Sequence, residues 1–150
     1  MTTYGFDDWP ALSVQQPWAE LLVSGRKSIE IRRWVTDYRG RIWLHAASKM
    51  NPELERMFGV TEVYRGGFIG SIELSAIVPM TTDRWEQWRS KHLDKGSYEH
   101  GMFAWIMAAP HRFRLPVRAK GQLRLFQPGP SELDRLHSEE AQAFDPTSRK

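Results

Sequence analysis

No cysteine occurs among the 150 residues. That absence excludes disulfides, a thiol nucleophile, thiolate zinc sites and iron–sulfur clusters. No run of about 18 apolar residues occurs either, so nothing reads as a membrane span. Met1 to Pro10 is polar and acidic and has no apolar stretch, so it does not read as a signal peptide. A cytoplasmic protein is the expected setting. Internal repeats and low-complexity tracts are missing. There is also no phosphate-cradling Gly-rich loop, Gly-x-Ser-x-Gly turn or zincin motif. His45, His92, His100, His111 and His137 lack tight ligand spacing. The nearest approach to a ligand pair is His92 and His100, with Glu99 beside the latter. No metal or cofactor is expected, and a monomer is the default.

What the chain does contain is arginine and aromatics. Apolar residues make up 41%, an ordinary globular share, and the length suits one domain with its own core. The net charge is +3, unevenly spread: residues 1–130 carry +5, and the segment from Ser131 onward carries −2. Arg outnumbers Lys 15 to 6. A guanidinium donates two parallel hydrogen bonds to phosphate and sheds water more readily than ammonium. Aromatics reach 12%, including seven Trp. Arginine mixed with aromatics is the composition of proteins that hold phosphates and stack bases. A small domain with Trp in its core has the same composition.

Helical periodicity is short and local. Pro17 to Ser24 opens with Pro at the first helical position and stops at Gly25, with Trp18, Leu21 and Leu22 on one face. Asn51 is placed to cap a second helix ending at Gly59. Asp83 is placed to cap a third, with Trp85 and Trp88 on one side. Ser131 to Ala143 reads as a polar helix or a disordered tail. Alternation predicts strands at Ser28–Trp34, Arg41–Ala46, Phe68–Val78, Met102–Ala109, Phe113–Val117 and Gln122–Phe126. Gly70 suggests a bulge, and Pro110 and Lys120-Gly121 suggest turns. The expected fold is mostly β within the α+β class. It is a small, mostly antiparallel barrel of five or six strands with two to three helices. Pro128, Gly129 and Pro130 mark the expected end of a domain over residues 10–128, followed by a tail over 129–150.

The most informative stretch is Gly25-Arg26-Lys27-Ser28-Ile29-Glu30-Ile31-Arg32. Side chains in a strand alternate, so Glu30 and Arg32 share a face. Lys27 has the opposite parity and joins them only if the turn after Gly25 is still irregular. If it does, two cations flank one carboxylate, keep it ionised, and Lys27 stays an ammonium. Such a trio offers donors and an acceptor to a polar, planar ligand. A solvated surface pair has the same spacing.

Gly25-x-Lys27-x-x-Glu30-x-Arg32 resembles the G-x-K-x-x-E-x-R motif of the ASCH (ASC-1 homology) domain family, whose fold is related to the PUA domain. Ser13-Val14-Gln15-Gln16-Pro17-Trp18-Ala19 resembles that family's entry to its first helix. Tyr38-Arg39-Gly40, Leu44-His45-Ala46-Ala47, Gly101-x-Phe103-Ala104-Trp105 and Pro116-Val117-x-x-Lys120-Gly121-x-Leu123-x-Leu125-Phe126 resemble later segments, in order. The resemblance runs from about Leu12 to Phe126. It implies a PUA-like barrel with a cleft beside the first helix that binds RNA or a nucleobase, lined by Lys27, Glu30 and Arg32. Some relatives hydrolyse acetylated cytidine, and others cut single-stranded RNA. In the amidohydrolases a Thr, their proposed nucleophile, stands where this chain has Glu30. Glu99 is the candidate counterpart of their later catalytic Glu.

Further candidates have structural readings beside the functional ones. Trp18 is placed to stack on a base or to pack in the core. Ser13 and Gln16 are placed to meet a base edge or to cap a helix. Arg39 sits in a basic turn suited to phosphate or to solvent. His45 shares a strand face with Trp43 and reads as a structural residue or a ligand contact. Arg112 and Arg114 share a face and could track a nucleic-acid backbone or protect a sheet edge. The leading function is RNA or nucleobase binding. The alternative is a hydrolase, acylcytidine amidohydrolase-like or ribonuclease, with Glu30 as base on water and Lys27 stabilising the oxyanion. A third reading is a small-molecule or protein-interaction module.

Overall fold

The computed structural model describes residues 8–144. Most of the N-terminal stretch read above and the last six residues of the tail lie outside that range. Six strands form one curled, mixed sheet, an open half-barrel, in the order β2-β5-β4-β3-β1-β6. The strands are β1 (Ala11–Val14), β2 (Ile29–Arg32), β3 (Gly40–Ala46), β4 (Gly67–Pro79), β5 (Phe103–Arg118) and β6 (Leu125–Phe126). Five helices accompany them: α1 (Trp18–Val23), α2 (Pro52–Phe58), α3 (Thr82–Gln87), α4 (Arg89–His92) and α5 (Pro130–Phe144). Two to three helices were expected. The extra ones come from a break at Trp88 in the third and from the ordering of residues 130–144.

β1 has no counterpart among the expected strands. Its four residues are too few to show alternation, and three of them are buried. It pairs parallel with β3 and antiparallel with β6. The parallel pair is allowed because α1 and β2 form the crossover between its strands. The remaining pairs are antiparallel.

Pro110 does not make the expected turn. β5 runs through it as a single strand. Two steps of β4, Ser71 to Glu73, face three steps of β5, Ala108 to His111, so Pro110 falls in a bulge. There its missing N–H breaks no ladder bond. Ala109 beside it takes φ 48°. A second shift lies at Gly70, where an added Cβ would sit 2.1 Å from the His111 carbonyl oxygen. Only glycine permits that approach, and the sheet curls there. At the other end, β6 is just Leu125–Phe126, and Lys120 to Arg124 is a loop.

Helix ends follow local chemistry. The Asn51 side chain accepts the Leu54 N–H at 3.2 Å, and Gly59 closes α2 at φ 68°. Thr81, not Asp83, caps α3: its hydroxyl accepts the Arg84 N–H at 3.1 Å.

Both faces of the central strands are buried. Ile42, Leu44 and Ala46 pack with Leu22 and Val23 of α1. Trp43, on the opposite face of β3, packs with Phe68, Phe113, Phe126 and Leu136 of α5. Trp85 packs with Ile29, Met80 and Ala104 in a third cluster. Helix α5 is held by charge as well. The buried Glu140 accepts hydrogen bonds from Ser71 and His111, each at 2.7 Å, with Arg41 close by. No helix among the described residues is long and apolar enough to cross a membrane.

Candidate functional site: a cleft beside the first helix

A concavity of about 800 Å³ opens beside α1. Its walls come from the end of β1, the start of α1, the end of β2, the end of β3 and the loop before β6. Ser13, Trp18, Glu30, Arg32 and His45 all line it.

Glu30 and Arg32 share a face of β2, as strand parity requires. Arg32 donates from Nε to Glu30 Oε2 at 2.9 Å and from Nη2 to the Ser13 carbonyl at 3.0 Å. One guanidinium therefore clamps β2 to β1 and holds the carboxylate in place.

Lys27 corrects the expectation. It does not line the cleft. It is buried behind Glu30, with Nζ 3.7 Å from Glu30 Oε1 and donating to the His92 carbonyl at 2.5 Å. The ammonium also lies 4.7 Å from the Trp18 ring centroid. Burial pulls the Lys27 pKa below its ordinary value, and the charges of Glu30 and Asp94 oppose that pull. The trio meets, but only two of its members reach the opening.

Trp18 is half-buried. Its edge meets Phe58, and Lys27 occupies ring space on the inner side. Gln16 is turned inward and offers nothing to a ligand. Its amide donates to the Tyr64 carbonyl at 2.8 Å, and its oxygen accepts the Glu20 N–H at 2.9 Å. It fills the capping role. Arg39 also lies away from the cleft, exposed, with its guanidinium on the Thr36 and Tyr38 carbonyls at 2.7 Å.

Ser13 and His45 are cross-strand partners in the parallel β1–β3 register. His45 Nε2 lies 2.7 Å from the Ala119 carbonyl, which can only accept, so that nitrogen carries the proton. Nδ1 is then an acceptor and takes the Ser13 hydroxyl proton at 2.9 Å. Burial lowers the His45 pKa, partly offset by the Ala119 bond.

Three contributors escaped sequence reasoning. Arg33 lines the cleft and pairs with Glu99 across the surface. Arg124 lines it from the loop before β6, its guanidinium 5.0 Å from the Trp34 ring centroid. Leu123 stands beside it, 91% exposed. An apolar side chain and an arginine in a short polar segment after Gly121 were the only available hint. Reading that segment as strand hid it.

The expected Arg112–Arg114 track is not free. Arg112 is held by both Glu20 oxygens, at 3.0 and 2.6 Å, and Arg114 donates to Gln142. Neither lines the cleft. His92 is equally committed: Nε2 donates to the Trp85 carbonyl and Nδ1 accepts the Asp94 N–H. That removes the His92–His100 ligand pair.

A curled half-barrel with an arginine-rich, aromatic-walled cleft beside its first helix defines a small domain of the PUA-like fold. Residues 12–117 match the ASCH domain model, and the chain belongs to the ASCH domain family. A 61-residue stretch is 46% identical to activating signal cointegrator 1 of Homo sapiens and 44% identical to that of Mus musculus. Each match covers 41% of this chain but only 10% of the relative. The chain also resembles the crystal structure of ASCH from Zymomonas mobilis. The TM-score there is 0.64 at 18% identity, over 88% of this chain and 95% of the other. A point mutant of that bacterial protein superposes similarly, at TM-score 0.62 and 19% identity, over 86% of this chain and 96% of the other.

Proposed function

We propose that this domain binds single-stranded RNA or another nucleobase-containing ligand in the cleft beside Trp18. The observation that carries the reading is the wall itself. An indole stands with the guanidinium groups of Arg32, Arg33 and Arg124 and the Glu30 carboxylate around one opening of about 800 Å³. A base needs an aromatic face and hydrogen-bond partners at its edge; the attached phosphate needs cations. Membership in the ASCH family and the positive charge of residues 1–130 support the same reading. The lack of cysteine fits a cytoplasmic location.

The hydrolase alternative with Lys27 and Glu30 as catalytic groups has less support. A lysine buried behind Glu30 and bound to the His92 carbonyl is poorly placed to meet an oxyanion in the cleft. The test is fluorescence anisotropy with labelled single-stranded RNA and competing nucleosides across a salt series. Affinity should fall linearly, log against log, as salt rises. No binding, or binding indifferent to both salt and Arg32→Ala, overturns the proposal.

A further inference from the structure

We infer that Ser13 and His45 form a nucleophile–base pair that opens this cleft to acyl-transfer chemistry on carboxylic esters. Three independent features of the structure converge on the pair. The Ser13 hydroxyl donates to His45 Nδ1 at 2.9 Å, the geometry in which a base takes the proton of an attacking oxygen. The far nitrogen of the ring donates to the Ala119 carbonyl at 2.7 Å. That contact fixes the tautomer and would stabilise the imidazolium formed during attack, the task a carboxylate performs in other triads. Finally, the Gly121 backbone packs directly against the pair, where only a residue without a side chain fits. A Cβ at Gly121 would lie 2.7 Å from Ser13 Oγ and 2.8 Å from His45 Cε1.

The surroundings fit the chemistry. Ser13 is partly exposed at the cleft wall, and His45, 1% exposed, lies directly behind it at the same wall. Burial keeps His45 neutral at pH 7, the form that accepts a proton. Arg32 donates to the Ser13 carbonyl at 3.0 Å, which places a fixed positive charge at the backbone of the nucleophile. The arginines of the wall favour esters that carry a negative charge.

The steps balance without a cofactor. Ser13 Oγ attacks the ester carbonyl carbon, and its proton moves to His45 Nδ1. The tetrahedral adduct collapses, the ester C–O bond breaks, and the same proton passes to the departing alcohol. Water then attacks the acyl-Ser13 ester with its proton going to Nδ1. The carboxylic acid leaves, and Oγ recovers a proton from His45.

The test uses the full chain with a fluorophosphonate probe and p-nitrophenyl acetate, read by intact mass, peptide mapping and p-nitrophenol release. Labelling should fall on Ser13 and vanish in Ser13→Ala. Both labelling and release should drop about 100-fold in His45→Gln. Gly121→Ala should block labelling while circular dichroism stays native. Absence of a Ser13 adduct in the folded wild-type protein, or unchanged release in folded Ser13→Ala, overturns the inference. RNA binding measured on the same sample separates the two readings. A protein that binds RNA but is never acylated loses only this one, and a protein that is acylated but binds no RNA loses only the other.

Discussion

Lys27 stands behind Glu30 rather than beside it, with Nζ 3.7 Å from Oε1, and both side chains are more than nine-tenths buried. The lysine supports the carboxylate from within, while Arg32 holds it from the cleft side at 2.9 Å. Breaking a buried pair leaves one charge uncompensated. Lys27→Ala should therefore destabilise the fold by about 3 kcal/mol, visible as a lower urea midpoint. Lys27→Met combined with Glu30→Gln should recover part of that loss. A Lys27→Ala protein of wild-type stability would contradict the supporting role.

Trp18 carries the stacking prediction. Trp18→Ala should weaken RNA binding by about 1–3 kcal/mol, roughly 5- to 150-fold, in anisotropy titrations. Trp18→Phe should keep much of the affinity because the aromatic face remains. Equal losses in both variants would point to packing against Phe58 and Lys27 instead.

Two buried histidines set an acid limit on stability. Burial holds His45 and His92 below the ordinary 6.5, and hydrogen bonds to carbonyls only partly offset it. The unfolded chain therefore takes up protons first as pH falls, and it gains stability relative to the fold. Their contribution is complete above pH 6.5 and is lost as pH drops through the lower folded values. The urea midpoint should fall between about pH 7.5 and about pH 5.5, and a His92→Gln variant should show a flatter profile. A midpoint constant over that range would refute the assignment.

Gly70 is a packing requirement. Its missing Cβ leaves room for the His111 carbonyl, which would otherwise lie 2.1 Å away. Gly70→Ala should cost about 2 kcal/mol or more in thermal or urea unfolding, because the clash is with backbone and no side chain can swing aside.

Helix α5 belongs to the packed body in this structure. Leu136 is fully buried against Trp43 and Phe113, and Glu140 is fully buried on Ser71 and His111. Leu136→Ala should destabilise by about 2–5 kcal/mol. Removing residues 130–150 should expose Trp43, raising dye binding and lowering the unfolding temperature. A truncated chain as stable as the whole would return α5 to the status of a tail.

Local chemistry in the sequence already contained much of the fold. Asn51 and Gly59 bound α2 where capping predicts. Alternation located β2, β3 and β4 to within a residue or two. Gly70 announced its bulge. Failures came where a signal was too short or was overridden by partners. β1 is four residues long. Pro110 reads as a turn until β4 supplies a register in which its missing N–H falls at a bulge. Asp83 and Thr81 are both good caps, and only backbone geometry chose Thr81.

The sequence by itself determined that Glu30 and Arg32 share a face, because strand parity is a property of the chain. It also determined that the chemistry had to come from arginine, aromatics, serine, histidine and carboxylates, since no thiol exists. Only the tertiary structure decided that Lys27 lies inside and Arg124 at the opening. It alone set Ser13 beside His45, residues 32 positions apart. Burial and cross-strand register are long-range outcomes of how the sheet curls and which strands pair. No local pattern of residues encodes them.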